Sequence, residues 1–291
     1  MSAPRAHAGD RAVLSIQSQV AYGHVGNSAA TLPLQRLGFD VIPINTVQLA
    51  HHPGHGSWRG YKVEPERIAQ ILEGVRQRGA LGRCGAIISG YLGDAAIGPI
   101  VLDAVAALRA ARPGALYLCD PVIGDDGPGV FVSPGIPELM RDVLVPAADI
   151  VTPNRFELAF LASQPVSTLA EARRAAAALR GRGPRLVVAT GLSLVDDPGL
   201  TILVDSAEGA WLITTPRLPI APGGTGDAFS ALFLGHHLRT ADTRLALERA
   251  VSAMFELVER THARGADELR LVAAQDAFDP PTPRFRAQRL D

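Results

Sequence analysis

Six short apolar runs, separated by helical stretches, restrict this chain to one architecture. The runs are Ala12–Gln17, Val41–Val47, Gly85–Ser89, Leu116–Cys119, Asp149–Thr152 and Leu186–Ala189. Each reads as a buried strand. The stretches between them read as helices: one that runs to Leu37 and is closed by Gly38, Glu64–Arg78 with Pro65 in its first turn, Ile97–Ala111, Pro137–Val145, one that runs from Glu157 to Ala162, and Thr168–Arg180. Strands alternating with helices predict an α/β fold: a mainly parallel central sheet with helices on both faces, in three layers. Further on, Thr201–Val204 and Ala210–Thr214 alternate as a hairpin does, Thr243–His262 reads as a long helix and Leu269–Gln275 as a last short one. The tail from Asp276 holds three prolines and is expected to be irregular. No linker divides the chain, so residues 11–291 are expected to form a single domain behind a disordered lead-in, residues 1–10.

Charge and cysteine content narrow the function classes. The formal net charge is −1, and no Lys/Arg cluster is interleaved with aromatics. Neither nucleic acid nor an anionic membrane is therefore an expected partner. No apolar run approaches the roughly 20 residues of a membrane span. Met1–Asp10 lacks an apolar signal core. Cys84 and Cys119 lie on or beside strands, which fits a reducing, cytoplasmic compartment.

One stretch carries chemistry: Ala221-Pro222-Gly223-Gly224-Thr225-Gly226-Asp227, running into the apolar segment Ala228–Leu234. Glycines let successive N–H groups point into one small volume, and a helix starting near Gly226 adds its positive end. Such a loop suits an anion, above all a phosphoryl group in transfer. A carboxylate at Asp227 would repel a resting phosphate but suits a base for an attacking hydroxyl. No Lys follows the glycines, so this is not a P-loop, and the spacing is not that of a dinucleotide fingerprint. Taken alone, the pattern equally serves a glycine turn with a first-turn helix acid.

Polar residues also recur where strands end: Ser18, Tyr91, Asp120, Asn154 with Glu157, and Thr190. In a sheet of this kind they converge on one edge, where ligands bind. Asp120 and Glu157 together suit Mg²⁺ on a nucleotide's phosphates, directly or through water. Singly, Asp120-Pro121 is also a turn initiator and Glu157 a helix-start acid. Three histidines, His51, His52 and His55, fall in a Pro- and Gly-marked segment with no Cys or carboxylate beside them. A flap over a small ligand, or a surface hairpin, is expected there rather than a metal site.

These segments, with Ser15-Ile16-Gln17-Ser18, Gly26-Asn27-Ser28-Ala29-Ala30, Asn45-Thr46-Val47-Gln48, Ser89-Gly90-Tyr91, Cys119-Asp120-Pro121-Val122, Thr152-Pro153-Asn154 and Gly224-Thr225-Gly226-Asp227, resemble the ribokinase-like superfamily of small-molecule kinases. The Gln-Ser start and the Asn-Thr-Val-Gln stretch are similar to its pyridoxal kinase branch. The resemblance implies ATP-dependent phosphorylation of the 5′-hydroxymethyl group of pyridoxal, with pyridoxine and pyridoxamine as related acceptors. It implies that Asp227 is the base and that the amides of Gly224, Thr225 and Gly226 neutralise the transferring group. Ser18, Thr46, Tyr91 and His52 would face the vitamer. Asp120, Thr152, Asn154, Glu157 and Thr190 would serve ATP, with Mg²⁺ at Asp120 and Glu157 and K⁺ near Asp120 and Thr152. Family members are usually cytosolic homodimers. The chain departs from the family where many relatives read Asn-His-Thr-x-Tyr-Gly: here His51-His52-Pro53-Gly54-His55-Gly56 puts Pro53, with neither hydroxyl nor N–H, at the wall of the vitamer pocket. Hydroxymethylpyrimidine kinase and a non-catalytic pyridoxal phosphate-binding protein are the alternatives. A Gln-Ser-Gln start in place of Gly-Ser-Asp speaks against the first, and the presence of Asp227 against the second.

Overall fold

The computed structural model describes residues 11–56, 59–195 and 197–290. The expected lead-in, residues 1–10, lies outside them. In chain order the strands are β1 (Ala12–Val20), β2 (Asp40–Leu49), β3 (Gly60–Lys62), β4 (Cys84–Ser89), β5 (Leu116–Cys119), β6 (Gly124–Asp125), β7 (Gly129–Val130), β8 (Ile150–Val151), β9 (Leu186–Leu192), β10 (Leu200–Ser206), β11 (Gly209–Thr215) and β12 (Gln288–Leu290). Ten of them form one sheet in the order β12-β11-β10-β9-β8-β5-β4-β1-β2-β3. From β2 through β1, β4, β5 and β8 to β9 every pairing is parallel. Antiparallel strands finish both edges.

The helices are α1 (Asn27–Arg36), α2 (Pro65–Gln77), α3 (Ile97–Ala111), α4 (Ile136–Leu139), α5 (Val145–Ala147), α6 (Arg155–Ala162), α7 (Leu169–Arg180), α8 (Thr225–Thr240) and α9 (Thr243–Ala263). Side chains from α2, α3, α6 and α7 pack on one face of the sheet, and those from α1, α8 and α9 on the other. The strands feed both layers alternately. Leu14 and Ile16 face the first and Val13 the second; Val187 and Ala189 face the first and Val188 the second. Burial on both faces is what makes these runs continuously apolar.

Several expectations are corrected at element ends. β1 runs on to Val20, so Ser18 lies within a strand, where the pairing to β2 shifts between Gln17 and Gln19. β9 runs on to Leu192, so Thr190 is also a strand residue, bridged to Asn154. The strand expected over Asp149–Thr152 shortens to β8, although the Asp149 and Thr152 N–H groups still donate to the Tyr117 and Cys119 carbonyls at its two ends. The tail is not wholly irregular: β12 adds to the edge of β11. The last short helix is a 3₁₀ segment shifted to Val272–Phe278. The histidine-rich segment forms a 3₁₀ turn, Pro53–His55, and then β3 against β2, as a flap or hairpin would.

Candidate active site

The glycine stretch does open a helix. Gly224 is the N-cap of α8 with φ +81°, a backbone region that disfavours side chains, and no side chain caps this end. The first-turn N–H groups of Thr225 and Gly226 thus have no partner within the helix, and the helix dipole points at the same place. α8 itself is buried nearly all round from Ala228 to His236, so the loop is delivered by a core element. A Cβ at Gly224 would overlap the His24 carbonyl, and one at Gly223 would lie 3.4 Å from Val25 and 3.8 Å from His52. The late glycine loop and the segment after β1 therefore lie against each other.

Asp227 sits at this junction. Burial raises its carboxyl above the usual range, while the Gly26 N–H and the nearby His52 ring pull it back. Gly26 has φ +54° and is packed so closely on Ser18 that a Cβ would overlap the Ser18 hydroxyl. One glycine thus touches both Ser18 and Asp227, residues from opposite ends of the chain. His52 caps its own 3₁₀ turn, its Nδ1 accepting from the Gly54 N–H at 3.1 Å. Thr46 is fully buried and its hydroxyl donates to the Tyr91 carbonyl at 2.7 Å. It ties β2 to the turn after β4, and its oxygen keeps its capacity to accept a hydrogen bond.

Beside Asp227, along the same end of α8, lies a buried acid cluster. Ser230 donates to Asp120 Oδ2 at 3.1 Å and is 2.9 Å from the Thr152 hydroxyl. A Cβ at Gly226 would lie 3.9 Å from the same Asp120 oxygen. Asp120 is pushed up to about 8, first by burial and then by the Asp227 charge, against the pull of Ser230 and Thr152. Glu157 is raised well above its ordinary value by burial and by Asp120. Both Glu157 oxygens already accept backbone N–H groups, from Ile123 and Asn154 at 2.9 Å each, and Asn154 Oδ1 returns a bond from the Glu157 N–H at 2.8 Å. The helix-start reading of Glu157 is therefore realised as a capping box. The cluster is an all-oxygen set of mutually repelling carboxylates, which suits a hard cation. Among the described residues no three His, Cys, Asp or Glu gather into an all-protein cage. Mg²⁺ is usually held by one or two carboxylates together with phosphate oxygens, so the donor set fits it.

A cleft of about 480 Å³ begins at Thr225 and Gly226 and extends away between β9–β11 and α9. Asn154 and Thr190 line its polar end; Leu218, Ile220, Val251, Met254, Phe255 and Val258 line its apolar end. Asp120, Thr152 and Glu157 are not in its lining but lie beneath its polar end. Sequence reading missed Ser230, Arg217 beside Ser193, and the apolar wall. Ser230 was signalled by its place four residues after Gly226 on one helix face, and Val251, Phe255 and Val258 by the same helical spacing.

Together, an amide-lined helix start, a part-buried carboxylate against it and an elongated cleft with one polar and one apolar end describe a small-molecule kinase on a three-layer α/β scaffold. The sequence model of the phosphomethylpyrimidine kinase family matches residues 56–269. The chain is 49% identical over 281 residues to the Rubrobacter xylanophilus protein named pyridoxal kinase PdxY, covering 96% of this chain and 97% of that one. It is 50% identical over 289 residues to the Deinococcus radiodurans protein of the same name, covering 97% of each. Its fold is similar to that of Leishmania donovani pyridoxal kinase in complex with ADP and pyridoxamine: TM-score 0.89, 33% identity, 97% of this chain and 100% of that one. The chain belongs to the pyridoxal kinase family.

Proposed function

We propose that this protein transfers the terminal phosphoryl group of ATP to the 5′-hydroxymethyl group of pyridoxal, or of pyridoxine and pyridoxamine, giving the 5′-phosphate. The observation that carries the reading is the meeting of Asp227, Gly26 and Ser18 at the open N-terminus of α8. That geometry supports a base acting between an alcohol held on the β1 side and a phosphate held on the cleft side. Ser18 and His52 would contact the vitamer, with Tyr91 positioned by Thr46. The base and ribose of ATP would occupy the apolar end of the cleft, with Asn154 and Thr190 nearer the phosphates.

Asp227 would accept the hydroxyl proton, and its raised pKa makes it a stronger base than an exposed carboxylate. The His52 and Gly26 contacts would favour its ionised form. The amides of Gly224, Thr225 and Gly226 would meet the charge that builds on the transferring group. Asp120 would hold Mg²⁺, with Glu157 reaching it through water; the ion would neutralise phosphate charge. Thr152, beside Asp120, supports a neighbouring K⁺. The buried, free thiols of Cys84 and Cys119 support a reducing, cytoplasmic compartment for a homodimer. Residues 11–291 act in this reading as one kinase domain, since a single sheet takes strands from both ends of the chain.

The test is Asp227→Asn. It is expected to bind ADP with wild-type affinity while losing several orders of magnitude in the ATP-dependent appearance of pyridoxal phosphate absorbance. Full turnover in the variant would refute the assigned base. Wild-type protein that phosphorylates hydroxymethylpyrimidine in preference to pyridoxal would refute the substrate.

A further inference from the structure

The apolar end of the cleft has one wall with an unusual backing. Phe255, on α9, lines the cleft. Its ring is met by the ring of Phe285 edge-on, with centroids 5.0 Å apart at 70°. The Arg284 guanidinium lies 4.5 Å from the Phe255 ring centre. Both come from the stretch between the 3₁₀ segment and β12, which has no helix or strand of its own. Residues without regular structure are ordinarily poor supports for a binding wall.

Here they are pinned at several points. Arg284 pairs with Glu259 at 2.8 Å, and the Phe285 N–H donates to Ser252 at 3.1 Å. Glu248 is only 1% exposed, yet its carboxylate accepts from Arg286 at 3.0 Å and from the Ala287 N–H at 3.1 Å, besides Arg244 at 2.8 Å. Beyond that anchor, β12 pairs Gln288, Arg289 and Leu290 with Leu212, Trp211 and Ala210. Every pin but the β12 ladder goes to α9, within two turns of Phe255.

We propose that Arg284–Ala287 is a positioning strap for the nucleotide: by clamping the outer side of Phe255 it fixes the ring against which the base of ATP packs. A side chain already held in its bound orientation loses less freedom when the ligand arrives. The strap acts only through Phe255, and this inference rests on the cleft being the ATP site. Its signature is therefore selective. Weakening the strap raises the KM for ATP and the Kd for ADP, and leaves kcat and the KM for pyridoxal unchanged.

The experiment compares Phe285→Ala, Arg284→Ala, Phe255→Ala and the Phe255→Ala/Phe285→Ala pair in the full chain, by calorimetric ADP titration and steady-state kinetics. Phe285→Ala is expected to weaken ADP binding about 3- to 10-fold, the range an aromatic pair contributes. Phe285→Tyr, which keeps the ring, is expected to restore it. The double variant is expected to bind no more weakly than Phe255→Ala alone. Arg284→Ala, at a half-exposed side chain, gives a second reading should Phe285→Ala fold poorly. Wild-type ADP affinity in both strap variants, with loss in Phe255→Ala, overturns the strap alone. Equal losses in kcat and both KM values also overturn it, marking general packing. Unchanged ADP affinity in Phe255→Ala shows that the base does not pack on this ring and overturns the strap, while the kinase reading stands or falls on Asp227→Asn.

Discussion

Gly226→Ala separates what the glycine loop does for folding from what it does for chemistry. Gly226 is exposed, in the first turn of α8, and its φ is not positive, so an alanine fits the backbone. Among the described residues, apart from its chain neighbours and the backbone of its own helix, an added Cβ meets within 4 Å just Asp120 Oδ2, at 3.9 Å, an ordinary contact. Replacing glycine by alanine in a helix gains about 0.5–1 kcal/mol, and about 1 kcal/mol moves Tm by roughly 2–4 °C in a chain of this size. The variant is thus expected to melt at or slightly above the wild-type temperature. In the proposed reaction the same methyl, 3.9 Å from the Asp120 carboxylate, would crowd the space that the phosphoryl oxygens enter. The amide itself stays in the variant; where the methyl holds a phosphoryl oxygen off it, the effect approaches loss of such a donor, about 10²- to 10³-fold in turnover. Calorimetric Tm and kcat from pyridoxal phosphate absorbance are the two readouts. Gly224→Ala is the contrast: its φ of +81° and the overlap with the His24 carbonyl should lower Tm outright. A fully active Gly226→Ala, or one that melts as early as Gly224→Ala, would refute the division of labour.

Two further outcomes follow from the acid cluster. Asp120 titrates near 8 in the fold against an ordinary 3.8, so its contribution to stability is fully present below about pH 4 and is lost as pH rises through 8. In metal-free buffer the Tm of Asp120→Asn should accordingly gain on wild type between pH 5.5 and 8.5, and Mg²⁺ should raise the wild-type Tm more at the higher pH; a pH-independent difference contradicts the burial argument. Glu157→Gln replaces two acceptor oxygens by one and faces an amide NH₂ toward a backbone N–H. One buried donor left unmet costs about 1–3 kcal/mol, so Tm should fall by several degrees in a thermal melt, and an unchanged Tm contradicts the capping-box role.

Core strands were legible in the sequence because both their faces are buried, which leaves an unbroken apolar run. Their ends were not. Ser18 and Thr190 were expected after strands and lie inside them, since ladder bonds from β2 and from the Asn154 bridge carry the strands past the last apolar residue. β12 was hidden because a three-residue edge strand takes its order from β11 rather than from its own composition. In the site, Asp227 and the glycines stood out through local backbone needs. Thr46 carried no mark distinguishing a ligand contact from a tie to the Tyr91 carbonyl. The helical spacing of Val251, Phe255 and Val258 marked an apolar helix face, but nothing in it distinguished a cleft wall from core.

Local chemistry along the chain settled the layered scaffold, the amide-rich helix start and the identity of its acid, because glycine placement, apolar period and a carboxylate's position act over a few neighbouring residues. Folding alone decided that Gly26 from the first crossover bridges Ser18 to Asp227, that Asp120 and Glu157 share one buried space, and that the last residues back the cleft. Those are contacts between segments as far apart in the chain as Gly26 and Asp227. Their consequences, a carboxylate set against an uncapped helix start and carboxyls driven up by burial and by one another, depend on distance and desolvation, which no stretch of sequence contains.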